Sequence, residues 1–258
     1  MGNKNSVAVL VKSSENETSM ADSRMTEIKP AKSRTRAKKL LRALLFGGVS
    51  LLALLFVARF IWVISGSNQW EFFGEKNGIK VYTLKAPGVD MLQAKGIFRV
   101  HSSLAGVVKL LRDPDTCKDL GCLESYDIER VDDQLEYSHF RINLPPPFRP
   151  RDFVIRSQVY QSPNTGEVMV EIAAAPGKAP LNNCCVRVNT MNNTWRLTPL
   201  KNGEVEIEYI LNMNEGGFIP DILLNTSHPK TLFNLGIVET LLNKEKLQTA
   251  KLDFIKER

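Results

Sequence analysis

The chain lacks the motifs that usually announce chemistry. There is no GxSxG, Walker A or GxGxxG sequence, so nucleophile-elbow hydrolysis, P-loop phosphate chemistry and dinucleotide binding have no signature here. Only three histidines occur, His101, His139 and His228, far apart and without ligand spacing. The four cysteines, Cys117, Cys122, Cys184 and Cys185, form no CxxC, which leaves structural zinc unsupported. Asp132-Asp133 reads as turn chemistry, and Asp113, Asp115 and Asp119 as a solvated helix end. No catalytic residue, metal ligand or cofactor is assigned, and binding is favoured over catalysis. Charge is missing from most of the chain as well. The net charge is +6 over 258 residues, with 34 Lys/Arg against 28 Asp/Glu. Residues 1–42 hold ten Lys/Arg and four Asp/Glu, whereas residues 43–258 hold 24 of each. A neutral body releases few counterions from a phosphate backbone, which argues against nucleic acid as a partner.

What is present divides into three parts. Residues 1–28, rich in Ser, Asn, Thr and Lys, have too little apolar surface to offset chain entropy and read as disordered, with Met25 an alternative start. A basic run follows through residue 42, so that 1–42 forms a basic tail. Residues 43–64 are apolar except for Arg59; at 1.5 Å per residue they span about 33 Å as a helix, enough to cross a hydrocarbon core. Arg59 lies near the far end, from which it can snorkel to the interface, and Trp62 and Trp70 fall where an aromatic belt is expected. The alternatives are a buried helix of a soluble domain and a signal peptide cleaved near Ser65-Gly66-Ser67, for which the run is long. An uncleaved anchor is the favoured reading. Lys/Arg crowd its N-terminal flank and only Lys76 stands close on the other side. The positive-inside rule therefore puts the tail in the cytoplasm and residues 68–258 on the opposite side, periplasmic or lumenal. The basic run can also meet anionic lipid head groups, at about 1 kcal/mol per charge.

Residues 68–258 suit a single α+β domain. Asn77-Gly78 is a turn signal before a strand at 79–83, and Leu92 to Val100 alternates as a second strand. Ser102-Ser103 can cap a helix that stops near Asp113-Pro114. Antiparallel strands are expected at 122–131, 134–143, 152–161, 167–174, 184–197 and 204–213, then a short helix at 219–224 and a long one from about Pro229 to Lys256. In strand 204–213, Val205, Ile207, Tyr209, Leu211 and Met213 share one face and Glu204, Glu206 and Glu208 the other. Val168, Val170 and Ile172 repeat the pattern against Glu167 and Glu171. Phe233, Ile237 and Leu241, with Leu232, Val238 and Leu242, form an apolar stripe that would cover the sheet. Periodicity leaves open whether the space between them is solid core or cavity. In an oxidising compartment Cys117 and Cys122 can pair, two buried thiols being the other reading. Adjacent Cys184 and Cys185 point to opposite faces of an expected strand and read as separate packing residues.

Five segments, in order, resemble one family. They are Trp70 with Gly78-Ile79-Lys80-Val81-Tyr82; Leu144-Pro145-Pro146-Pro147-Phe148 before Pro150-Arg151-Asp152-Phe153-Val154; Val186-Arg187-Val188; Trp195-Arg196-Leu197-Thr198-Pro199-Leu200; and Gly216-Gly217-Phe218-Ile219-Pro220 with Leu223-Leu224-Asn225. Over about residues 68–256 the chain resembles the START (steroidogenic-acute-regulatory-related lipid transfer) domains. The resemblance implies a helix-grip fold: a curved antiparallel sheet around a C-terminal helix, enclosing a tunnel for one lipid or sterol. It implies binding without catalysis, with the last helix as a movable lid. Many members carry a tunnel arginine on the strand after the Arg-Asp-Phe motif. Here Ser157 holds that parity and Arg156 falls one position short, so a tunnel ion pair does not carry over.

The reading is a membrane-anchored lipid-binding or lipid-transfer protein whose partners are a lipid or sterol and the membrane itself. The expected tunnel wall is Val170, Ile172, Tyr209, Leu211 and Met213 from the sheet with Phe233, Ile237 and Leu241 from the helix. Arg187 or Asn189 is the expected polar handle. A helix-grip enzyme, cyclase- or hydrolase-like, is the alternative; it needs an acid or base in the tunnel, for which His139 is the candidate.

Overall fold

The computed structural model of the protein describes residues 33–257. The expectations for residues 1–32, disorder and a start at Met25, lie outside the described residues. The chain divides into two compact units, residues 1–54 and 55–258. Helix α1 covers Ser33–Ile64. It starts well before Ala43 because the intervening Arg, Ala, Lys and Leu residues are good helix formers and the last proline is Pro30. Its Lys38–Ile64 portion, 27 residues, has the length and hydropathy to cross a membrane. In the second unit Arg59 does not merely reach for solvent: it pairs with Asp90 at 2.9 Å and Asp221 at 3.2 Å.

The second unit is built on β1 (Trp70–Lys76), β2 (Ile79–Leu84), β3 (Gln93–His101), α2 (Leu104–Arg112), α3 (Pro114–Asp119), β4 (Glu124–Arg130), β5 (Leu135–Ile142), β6 (Arg151–Gln161), β7 (Val168–Ala174), β8 (Val186–Arg187), β9 (Thr190–Pro199), β10 (Glu204–Leu211) and β11 (Met213–Asn214). The sheet order is β1-β2-β3-β10-β9-β7-β6-β5-β4, antiparallel at every step, with β11 added to β9 and β8 lying parallel to β6. It is the curved START-like sheet with C-terminal helical cover. Alternation is clean on β10, where Val205, Ile207 and Leu211 are buried while Glu206 pairs with Arg99 and Glu208 with Lys95 and Arg196. Ser103 caps α2 by accepting from the Gly106 N–H, and the Glu257 carboxylate takes the Leu104 and Ala105 N–H groups, so a residue near the chain's end closes that helix.

Three expectations are corrected. The single helix from Pro229 to Lys256 is four pieces: α4 (Asp221–Thr231), a 3-10 segment (Leu232–Gly236), α5 (Ile237–Leu242) and α6 (Glu245–Gln248). α4 runs through Pro229, whose missing N–H removes one ladder bond, and the winding then tightens to 3-10 over Leu232–Gly236, where Gly236 is a poor helix former. The tighter 3-10 winding rotates the following face, leaving Ile237 41% exposed while Leu232, Val238, Leu241 and Leu242 are buried. Strand 184–197 is broken between Arg187 and Thr190, since β8 belongs to β6 and β9 to β7 and β10. Cys184 and Cys185, outside any strand, form a disulfide with each other, as Cys117 and Cys122 do.

The cover packs tightly on the sheet at Gly96 of β3. A Cβ there would meet Leu235 Cδ1 at 2.9 Å and Leu232 at 3.6 Å. Gly96→Val should therefore lower the unfolding free energy by about 1–3 kcal/mol through overpacking, read by thermal unfolding in detergent. An unchanged midpoint would contradict this contact.

Candidate functional site

Against the sheet lie two cavities that share Tyr209 and Met213 as a common wall, one beneath α2 and α3 and one beneath the C-terminal cover. The inner one, about 300 Å³, reaches under α2 and α3. Its sheet side carries Phe140 stacked on Phe153 at 4.5 Å, with Ile155, Ile172 and Trp195; Leu111 and Leu120 face them. The outer one, about 750 Å³, is walled by the loop after β5 (Leu144, Pro145, Phe148), by Leu211, and by Leu223, Leu224, Leu232 and Leu235 of the cover. Both have sizes typical of ligand sites.

The polar groups inside are few and mostly spent. Trp195 and Tyr209, register partners on β9 and β10, stack at 4.1 Å. Asn193 donates to the Tyr209 hydroxyl at 3.0 Å and accepts from the Asn212 N–H at 2.8 Å. Burial pushes the Tyr209 phenol far above its usual value, so it stays protonated and uncharged. On α4, His228 Nε2 lies 3.3 Å from a Glu215 oxygen. Above β6, Arg151 is buried under the Gly216-Gly217 turn and donates to the Gly216 and Arg149 carbonyls. Burial lowers its pKa and Glu215 opposes that shift. Gly217 has φ +70°, and a side chain there would press on the Arg151 guanidinium at 3.2 Å. The turn needs glycine on both counts.

Ile172, Tyr209, Leu211 and Met213 are brought together on the cavity walls. Val170 and Leu241 are buried in the surrounding core instead. Phe233 packs toward β1, beside Phe73 and Gly74, and Ile237 faces outward. Neither expected handle is in these two cavities. Asn189 is exposed at the strand break. Arg187 sits on the other face of the sheet, where its Nε donates to Asp152 at 2.7 Å and its terminal nitrogens clamp the carbonyls of Pro176, Ala179 and Pro180. His139 joins that outer cluster, 2.5 Å from Asp152 and stacked on Tyr126, so it supplies no acid or base to the cavities. Sequence reasoning also missed a buried pair: Glu136 of β5, opposite Ser157, binds Arg112 of α2 at 2.6 Å. Asn193 and Trp195 were readable by parity with Met191 and Leu197; Arg112–Glu136 and Glu215–His228 had no local signal. Among the described residues no group of three or more His, Cys, Asp or Glu side chains could hold a metal ion.

A curved sheet closed by a C-terminal helical cover over an apolar cavity makes this a START-like domain. The solved STAR-related lipid transfer protein of Xanthomonas axonopodis is similar, with 26% identity and a TM-score of 0.63 over 68% of this chain and 99% of that one. The lipid transfer and protein localization domain of human StarD13 gives 14% identity and a TM-score of 0.61, over 75% and 96%. Human StAR-related lipid transfer protein 5 gives 16% and 0.56, over 81% and 97%. At the two lower identities the likeness is one of fold. Among curated proteins, an uncharacterized protein of Pseudomonas aeruginosa is 24% identical over 161 residues, 62% of this chain and 79% of its own length. No family model matches the chain.

The placement of Arg187 is testable. Arg187→Met leaves the buried Asp152 with His139 as its one remaining side-chain partner and should cost about 3 kcal/mol of stability, while lipid bound per folded molecule stays the same. A selective loss of bound lipid with stability intact would put Arg187 in the ligand site after all.

Proposed function

We propose that this chain is a membrane-anchored lipid-binding protein that holds one hydrophobic lipid, a sterol among the candidates, and keeps or passes it between membranes. The observation that carries the reading is the pair of adjoining, mostly apolar cavities on the sheet of a START-like fold, one under α2 and α3 and one under the cover. Residues 43–64 are the anchor in this reading, the basic flank is cytoplasmic and in reach of anionic head groups, and the domain of residues 68–258 is on the periplasmic or lumenal side. The START-like neighbours support binding without catalysis, the xanthomonad one being a STAR-related lipid transfer protein. Of the expected wall residues, Ile172, Tyr209, Leu211 and Met213 are proposed to touch the ligand, joined by Phe140, Phe153 and Trp195.

The test is native mass spectrometry of the full chain purified in mild detergent, with lipid exchange between vesicles measured in parallel. Co-purified lipid and accelerated exchange are expected. Ile172→Trp with Met213→Trp should fill both cavities and lower occupancy at least several-fold. A protein that carries no lipid and does not accelerate exchange would overturn the proposal.

A further inference from the structure

We propose that His228, oriented by Glu215, is the polar subsite of the outer cavity, and that it selects an uncharged lipid whose head carries a free hydroxyl. This rests on the lipid-binding reading above and adds the chemistry of the head group.

The argument starts from which polar groups in the wall remain unused. The Thr226, Ser227 and Thr231 hydroxyls share this wall, yet each donates back to an α4 carbonyl, of Ile222, Leu224 and His228 respectively. Tyr209 is already hydrogen-bonded to Asn193. His228 differs. Its ring is 4% exposed and lines the cavity, and its Nδ1 has no hydrogen-bond partner among the described residues. The Glu215 carboxylate can only accept, so in the neutral imidazole the proton sits on Nε2, facing it at 3.3 Å. Nδ1 then keeps its lone pair. It is a buried acceptor in an apolar wall, and such a group costs free energy until a donor reaches it.

The charges nearby decide what kind of donor. Glu215 is met by His228, and the Arg151 guanidinium lies close enough that the two charges influence each other. Lys230, also of this wall, is exposed on α4. A phosphate or carboxylate head would bring an anion against Glu215 and the Nδ1 lone pair. A cationic head would displace the balance between Glu215 and Arg151. A neutral hydroxyl satisfies Nδ1 and disturbs neither. Specificity of this kind comes from the buried acceptor left unpaired by a ligand without the donor.

The test uses pairs of probes that differ only in that proton: cholesterol and its methyl ether, and dioleoylglycerol and its methyl ether, offered to the full-length protein in dioleoylphosphatidylcholine vesicles. At least one alcohol should be taken up about tenfold better than its ether, as one net hydrogen bond allows. His228→Phe should abolish that preference while ether uptake persists, and His228→Gln, which keeps an acceptor oxygen, should restore part of it. Should the Phe variant not fold, Glu215→Gln frees the ring to adopt either tautomer and should shrink the preference. Equal uptake of alcohol and ether by the wild type, a preference that survives His228→Phe, or selective uptake of the phosphatidylcholine itself would overturn the head-group inference and leave lipid binding standing. Failure to take up any lipid would instead sink the binding reading, and the inference with it.

Discussion

The close approach of the 3-10 segment to Gly96 governs the rest of the architecture. It ties Leu232 and Leu235 down onto β3, where no side chain intervenes. On the other side of that contact Val238, Leu241 and Leu242 continue the buried face as ordinary core. Toward α4 the outer cavity separates the cover from β10 and β11, with Leu211 and Met213 on one side and Leu223, Leu224, Leu232 and Leu235 on the other. A single straight helix would have buried the stripe of Phe233, Ile237 and Leu241 together and left a different space.

Charge is distributed to suit such a cavity. The outward face of β10 is a row of glutamates matched by Arg99, Lys95 and Arg196. The buried ions are paired at the periphery: Arg112 with Glu136 beneath the inner cavity, Asp152 with His139 and Arg187 across the sheet. Breaking any of these would leave an uncompensated buried charge, so they hold the scaffold's shape. The cavity walls are mostly aromatic and aliphatic carbon, with the Glu215–His228 pair and Lys230 at the outer one and Arg112 and Asp113 at the edge of the inner one.

Much of this was legible in the sequence, and the failures share a cause. Val205, Ile207, Tyr209 and Leu211 declare their face because strand period is a local property, and Met213 keeps that side even though the ladder pauses at Asn212. The apolar run to Ile64 and the basic residues before it needed only length and composition. Arg187 and Asn189 share parity with Asn193, which does line the inner cavity, but they belong to no common strand with it. The chain leaves the sheet between Arg187 and Thr190 to pair with β6, a contact no local pattern contains. The same holds for His228: its worth depends on Glu215 meeting it across the glycine turn, which only the folded chain brings about.

The central claim is that the lipid lies between the sheet and its broken cover. Photocrosslinking with a lipid that carries a mid-chain diazirine, followed by peptide mapping of the full chain, tests it most directly. The account predicts adducts within residues 138–155, 209–213 and 224–235. Adducts confined to residues 38–64, the helix long enough to cross a membrane, would contradict it.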